Sequence, residues 1–213
     1  MSDAVRFPLV LGAICVCSAF GLAVTYTLTR DEIRRQEQLQ KNRGLAAVFG
    51  IELPADQANP PWEVIGGKEP NAPLVLRFTD PKTGRRLYAA EGAGQGYSSK
   101  VRVVVAVDQA IETDPDKARV KAVRVVSQLE TPGFGSRCTE PEFQAQFENL
   151  LVKSLKLVKS AEYRKPEADK AGTQPIAAIT GATITSNACV RAVRKAILRI
   201  QETLEAANAI GKR

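Results

Sequence analysis

The sequence predicts an α+β protein: a single N-terminal transmembrane helix followed by one α+β domain. Three features support this fold class: a long uncharged apolar run near the N-terminus, short β-branched segments in the middle, and a periodic apolar pattern near the end. Strands in a run followed by helices are typical of α+β domains, in which helices cover one face of a sheet. The length of 213 residues fits one such domain with a tether.

The apolar run covers residues 7–29 and contains no charged residue. At about 1.5 Å of rise per residue, a helix of this length crosses a hydrocarbon core about 30 Å thick. The run is longer than the apolar core of a cleaved signal peptide, so we expect a retained single-pass anchor after a short flank, residues 1–6. The distribution of Lys and Arg leaves its orientation open, because long domains can translocate regardless of charge.

Residues 30–60 are predicted to form a juxtamembrane helix and a linker, because a polar, helix-prone segment precedes Pro54, Pro60 and Pro61. The folded domain is assigned to residues 61–213. Alternating or β-branched patterns predict four strands, over residues 74–79, 86–90, 100–107 and 120–128. Apolar residues at three- and four-residue spacing predict two helices, over 141–159 and 186–206, the second capped by Thr185 or Ser186.

Composition restricts the chemistry of the chain. It has no histidine, which excludes Ser-His and Cys-His nucleophile pairs and metal sites with an imidazole ligand. The cysteines, Cys15, Cys17, Cys138 and Cys189, form no CxxC element, so we expect no metal site and interpret Cys138 and Cys189 as buried thiols. The net charge is +7, but aromatic residues are few and acidic residues are interspersed, so we expect no nucleic-acid binding. No catalytic residue is assigned.

The segment TGATITS, residues 180–186, lies directly before the last predicted helix. Its glycine suits a tight turn, and the unpaired N–H groups at a helix N-terminus favour a phosphate. Capping of the helix by the same threonine and serine hydroxyls explains the pattern equally well. The residues alone leave both interpretations open.

This segment resembles the flavinylation signature of the FMN-binding domains in Rnf complexes and in sodium-pumping NADH:quinone reductases. The segment LETPGFG, residues 129–135, is similar to the E-T-P-G-L-G loop of that family, with Phe134 in place of leucine. Residues 96–98, GYS, are similar to its G-Y-S strand entry. The resemblance covers about residues 92–206 and implies that the phosphate of FMN is linked covalently to Thr183.

The resemblance also implies a set of residues around the cofactor. Besides Thr183, the candidate FMN-binding residues are Thr180, Gly181, Ala182, Ile184, Thr185, Glu130, Thr131, Gly133, Phe134, Gly135 and Ser98. Gly133 and Gly135 permit close approach of the backbone to a flat ring. Phe134 is expected either to pack on that ring or to join the loop to the core. Glu130 is expected either to hydrogen-bond the flavin or to cap backbone N–H groups.

By resemblance, the chain is a membrane-anchored flavoprotein similar to the RnfG-type component of an Rnf-type ion-translocating complex. Such a component relays electrons between ferredoxin and NAD through covalent FMN and completes no reaction alone. Its expected partners are the other subunits and a flavin transferase, with the flavin domain on the extracytoplasmic side of the bacterial inner membrane. Two alternatives stay open: the equivalent FMN-bearing component of the sodium-translocating NADH:quinone reductase, and a flavin-free, membrane-tethered interaction domain.

Overall fold

The computed structural model describes residues 3–51, 61–66, 74–163 and 172–210. The predicted linker prolines Pro54 and Pro60 lie outside these described residues. The chain separates into two units, Met1–Asn42 and Arg43–Arg213, and each is considered by itself.

The first unit contains most of helix α1, which runs from Asp3 to Phe49. Within the described residues, Leu9–Gln36 is the one helical segment long and apolar enough to cross a membrane, with a mean hydropathy of 2.1. Inside it, the hydroxyls of Thr25, Thr27 and Thr29 donate hydrogen bonds to carbonyl oxygens four residues earlier. These bonds satisfy groups whose burial in hydrocarbon is otherwise costly. The boundaries 7–29 stay a prediction.

The second unit is built on a five-stranded antiparallel sheet in which strands consecutive in sequence are neighbours in space. Its strands are β1 (Trp62–Gly66), β2 (Val75–Thr79), β3 (Arg86–Gln95), β4 (Lys100–Asp108) and β5 (Val120–Ser127). The last four coincide with the predicted strands, although β3 is longer than expected. Strand β1 was not predicted, because five residues between prolines and glycines give only a weak alternating pattern.

Alternate residues of β4 pack on opposite faces of the sheet. Val103 and Val105 belong to the larger core under the C-terminal helix, whereas Val104 and Ala106 belong to a second cluster that also contains Phe49 at the end of α1. Successive side chains of a strand point to opposite faces, so a strand that is covered on both faces reads as a continuous apolar run. This arrangement explains the sequence VVVAV.

Helix α3 (Thr183–Ile210) lies against β3 and β4. Its backbone comes so close to β3 that a Cβ at Gly92 would collide with the carbonyl oxygen of Ala192. A Cβ at Gly94 would collide in the same way with the carbonyl oxygen of Ala188. The two glycines therefore fix the distance between helix and sheet, and with it the position of the helix N-terminus.

The predicted helix over residues 141–159 is wrong in extent. Helix α2 covers only Pro141–Ala145, and the chain turns at Asn149, whose φ is +60°. Asn149 donates its N–H to the carbonyl of Val120 at 2.8 Å, and Val120 donates to Leu150 at 2.9 Å. Pairing with the start of β5 thus replaces the helical bonds. The apolar residues that indicated the helix are buried nonetheless: Phe143, Phe147, Leu150 and Leu155.

A short parallel pair leads the chain back to the start of α3. It consists of β6 (Leu157–Val158) and β7 (Ile176–Ala177). Helix α3 then begins at Thr183, three residues before the predicted start. The N–H of Ser186 donates to the carbonyl of Ala182 at 3.0 Å. Thr185 and Ser186 therefore lie within the first helical turn, and the prediction that one of them is the N-cap residue is wrong.

Candidate functional site

A hollow of about 460 Å³ opens where three segments of the second unit meet. These segments are the β3–β4 connection, the loop that follows β5, and the start of α3. The antiparallel register brings the end of β5 beside the start of β4, so the first two segments share one end of the sheet. The lining residues are Tyr97, Glu130, Thr131, Phe134, Gly135, Gly181, Ala182, Thr183, Ile184 and Thr185.

Glu130 joins the three segments through its carboxylate and is only 6% exposed. Its Oε1 accepts the N–H groups of Ser98 at 3.0 Å and Ser99 at 2.9 Å. Its Oε2 accepts the N–H of Tyr97 at 3.1 Å and the hydroxyl of Thr185 at 2.6 Å. Of the two roles expected for Glu130, the structure shows the capping of backbone N–H groups.

These contacts determine the charge state of Glu130. Burial by itself would raise the pKa of Glu130, but hydrogen bonds from the Thr185 hydroxyl and from the N–H groups of residues 97–99 outweigh it. The pKa of Glu130 is therefore below its ordinary value. The group is ionised at neutral pH and acts only as an acceptor.

Two glycines allow the backbone to approach this carboxylate. A Cβ at Gly96 would lie 2.6 Å from Oε1 of Glu130. A Cβ at Gly135 would lie 2.8 Å from Oγ1 of Thr185. Both distances are shorter than any normal contact, so larger residues would push the loops away from Glu130. Gly135 was expected to allow approach of a ring, and the structure adds this packing reason.

The mouth of the hollow is formed by exposed apolar side chains. Tyr97 is 73% exposed, Phe134 is 54% exposed and Ile184 is 53% exposed. Such residues around a concavity are typical of ligand sites. Phe134 lies over the turn at Gly181, whose φ is +77° and whose added Cβ would come within 3.1 Å of the ring. Phe134 therefore does not join the loop to the core.

The hydroxyl groups around the start of α3 differ in their partners. Thr185 donates to the buried carboxylate, and Ser186 donates to Ala182 at 2.9 Å while accepting the N–H of Ile179 at 3.0 Å. Thr183 is exposed, and its hydroxyl makes no hydrogen bond to any residue that the structure describes. The first N–H groups of a helix also lack intrahelical partners and favour an anion. Thr183 thus presents an accessible hydroxyl at an anion-binding position.

A second hollow, of about 450 Å³, shares Thr183 and Gly181 with the first. Lys159, Ser160 and Thr180 are among its other lining residues. Lys159 therefore brings a positive charge to the neighbourhood of Thr183. The sequence did not point to this lysine, because it lies far from the turn along the chain and within a segment predicted to be helical.

Three of the candidate residues do not line the first hollow. Ser98 is exposed and contributes only its N–H to the carboxylate of Glu130. Gly133 has a φ of +75° and permits the turn of the loop. Thr180 lines the second hollow instead. The other candidates lie together at the first hollow, as the motifs indicated.

Two residues of the β3–β4 connection were not predicted from the sequence. Tyr97 lines the hollow, although the neighbouring serine of the same GYS segment was the one selected. An exposed aromatic residue in a tight strand connection was the signal that could have identified it. The hydroxyl of Ser99 donates to Glu130 at 3.2 Å and accepts the N–H of Leu129 at 2.8 Å. A serine in a turn carries no comparable signal.

Comparisons with known proteins agree with this geometry. A model of the RnfG N-terminal region matches residues 4–48, and a model of the FMN-binding domain matches residues 96–198. The second range contains every residue that lines the first hollow. The fold and the site thus define an FMN-binding domain that follows an apolar N-terminal helix.

Two relatives show what the chain is similar to. The G component of the ion-translocating oxidoreductase complex of Aliivibrio fischeri is 29% identical over 199 residues, which cover 89% of this chain and 86% of that one. The G component of the proton-translocating ferredoxin:NAD(+) oxidoreductase complex of Clostridium ljungdahlii is 33% identical over 113 residues, 53% of this chain and 52% of that one. Over most of its length the chain is thus similar to the G components of ion-translocating oxidoreductase complexes, which confirms the resemblance seen in the sequence.

A solved structure supports the fold. The C component of the Na(+)-translocating NADH-quinone reductase from Parabacteroides distasonis has a TM-score of 0.59 and 19% identity, covering 81% of this chain and 95% of that one. At this identity the likeness concerns the fold alone, and it confirms the predicted α+β class. The NADH:quinone reductase alternative has no support beyond this shared fold.

Proposed function

We propose that the chain is the electron-carrying subunit of an Rnf-type ion-translocating oxidoreductase complex, with FMN linked through its phosphate to Thr183. One observation carries the proposal: an accessible hydroxyl lies at the first residue of a long helix, within a hollow rimmed by exposed apolar side chains. When bound, FMN supplies one- and two-electron transfer. The chain supplies the place where the flavin is held.

The residues around the hollow suit both ends of the cofactor. Tyr97, Phe134 and Ile184 offer apolar surface to a flat ring system. The N–H groups at the start of α3, together with Lys159 in the second hollow, suit a phosphate that keeps one negative charge after esterification. The volume of about 460 Å³ is within the range of small-molecule sites.

The chain holds and positions the flavin rather than performing acid–base chemistry. Glu130 is the buried carboxylate of the hollow, and both its oxygens are occupied by donors from the protein. In the proposed complex, partner subunits supply and remove the electrons. A covalent link keeps the flavin at a high effective concentration beside those partners.

The proposal places the flavin domain on the extracytoplasmic side of the bacterial inner membrane, anchored by one pass of α1 and assembled with the other subunits of the complex. Support comes from the apolar segment Leu9–Gln36 and from the names of the relatives, which are subunits of translocating complexes. A flavin transferase attaches the FMN during maturation.

Replacement of the hydroxyl tests the attachment residue. Thr183→Ala, produced together with a flavin transferase, should lose the flavin fluorescence of the denatured protein band, whereas Thr183→Ser, which keeps a hydroxyl, should retain it. Thr113→Ala is the matched control, because this threonine is also exposed but lines neither hollow. Fluorescence that persists in Thr183→Ala would contradict the assignment. A dark wild-type band would favour the flavin-free interaction domain.

A further inference from the structure

The core next to the hollow contains two thiols that the proposed function does not use. Cys138 lies in the 3-10 helix Gly135–Thr139, and Cys189 lies in the second turn of α3. Cys138 is 0% exposed and Cys189 is 1% exposed. The two elements pack against each other. In the structure both side chains are free thiols, as expected from the sequence; they share one hydrophobic cluster and hydrogen-bond to each other.

The hydrogen bond makes the two thiols unequal. Donation from Cys189 lowers the pKa of Cys138, because it stabilises the thiolate of Cys138. The same hydrogen bond, followed by burial, raises the pKa of Cys189 far above its ordinary value. Cys138 is therefore the member of the pair that more readily forms the nucleophilic thiolate.

We propose that Cys138 and Cys189 form an intrachain disulfide in the native protein, linking the loop after β5 to helix α3. Disulfides persist in oxidising compartments and are rare in the cytoplasm. The inference thus rests on the extracytoplasmic location given under the proposed function. It does not depend on attachment of the flavin.

The bond forms while the chain folds, because both sulfurs are inaccessible once the core is closed. The thiolate of one of the two cysteines attacks a sulfur of an external disulfide, on a protein or a small molecule, and displaces the first thiol. The thiolate of the other cysteine then attacks the cysteine sulfur of this mixed disulfide and displaces the second thiol. The pair loses two electrons and two protons, and the external disulfide is reduced to two thiols.

The cross-link would join two walls of the first hollow. Gly135 begins the 3-10 helix that contains Cys138, and Thr185 lies one helical turn before Cys189. Both Gly135 and Thr185 line the hollow. A bond between their elements also closes a long loop of chain, which restricts the unfolded state more than a short loop does.

Thiol mapping on the full-length protein tests the proposal. The protein is acid-quenched in its native membranes, denatured, and alkylated either directly or after reduction. We expect a linked pair of peptides containing Cys138 and Cys189 in the unreduced sample, and two alkylated peptides after reduction. Cys15 and Cys17, which should be alkylated in both samples, report the efficiency of labelling.

A thermal measurement provides a second readout. The protein is unfolded in urea with or without a reductant, refolded in the same condition and then melted, because a reductant does not reach the buried sulfurs of the folded chain. The reductant should lower the melting temperature of the wild-type protein by several degrees. It should leave that of the double variant Cys138→Ser/Cys189→Ser unchanged, because this variant has no bond to reduce. An unchanged wild-type melting temperature would contradict the proposal.

Alkylation of both thiols in the unreduced wild-type sample would overturn the disulfide. Protease accessibility of the same domain on oriented membrane vesicles then identifies the faulty assumption. If the domain lies outside the cytoplasm and the thiols are free, the disulfide alone is wrong. If the domain lies in the cytoplasm, the location given under the proposed function is wrong as well.

Discussion

Glu130 accepts hydrogen bonds from residues 97–99 and from Thr185, so one buried carboxylate determines how two loops and a helix meet. Among the described residues, donors rather than a cation match its charge. A neutral side chain of the same shape cannot satisfy all of these donors. The free energy of unfolding should therefore depend on this one residue.

Glu130→Gln replaces one acceptor oxygen by an NH₂ donor that faces other donors. We expect it to lower the free energy of unfolding by about 2–3 kcal/mol, since hydrogen bonds to a charged group are lost within the core. Urea denaturation of the full-length protein measures the change. Glu140→Gln is the control, because its partner Arg137 is an exposed neighbour at 3.2 Å, and a loss below about 0.5 kcal/mol is expected there.

The same residue predicts a pH dependence. The pKa of Glu130 is lower in the folded than in the unfolded protein, so its contribution to stability is present above the ordinary value of 4.5 and is lost as the pH falls through the lower folded value. Below about pH 4.5, the wild type should lose stability more steeply than Glu130→Gln, as urea denaturation across a pH series measures. Equal slopes for the two proteins would contradict this role.

The sequence identified the residues of the hollow that lie within its own motifs. Thr183 and Phe134 are examples, because the turn and the loop are each short and continuous in sequence. Tyr97 and Lys159 were not identified, because their position beside the hollow depends on the packing of segments that are remote in sequence. The role of Glu130 could not be predicted from the sequence either, because only the structure identifies its hydrogen-bond donors.

Among the elements, β3 and α3 determine where the hollow lies. The backbone of α3 packs on Gly92 and Gly94 without an intervening side chain. This contact determines the position of the helix N-terminus, where the hollow lies. A side chain at either position would force helix and strand apart. The start of α3 would then move relative to the loop after β5.

Gly94→Ala tests this contact. The added methyl group meets the carbonyl of Ala188, which belongs to a helix backbone and cannot move alone. We expect a loss of about 3 kcal/mol in the free energy of unfolding, measured by urea denaturation. Ala93→Ser makes a change of similar size at the next residue, which points to the opposite face, and should cost less than about 1 kcal/mol. Similar losses in both variants would contradict the close contact.

Strands and helices were not equally predictable. β4 was predicted because every residue from Val101 to Val107 except Arg102 is apolar, and an extended strand satisfies that pattern. The segment after Pro141 has helical spacing, yet its backbone hydrogen-bonds to Val120 on another element. Apolar spacing therefore predicted which side chains are buried. It could not predict whether the backbone would form helical hydrogen bonds or hydrogen bonds to another element.

As a whole, the molecule combines an apolar helix with a domain whose hollow suits a tethered flavin. Under the proposed function the two units meet different requirements: the helix would keep the chain in the membrane, and the domain would position a redox group near its partners. The absence of histidine agrees with a carrier that leaves chemistry to its cofactor. The proposed function therefore depends on a covalent bond between Thr183 and FMN.

Intact mass spectrometry of the wild-type chain, extracted from its native membrane, tests that bond most directly. We expect the mass of the 213-residue polypeptide plus one FMN less one water, with the added mass mapped by fragmentation to Thr183. A native chain whose mass lacks any flavin addition, or one whose flavin maps to another residue, would contradict it.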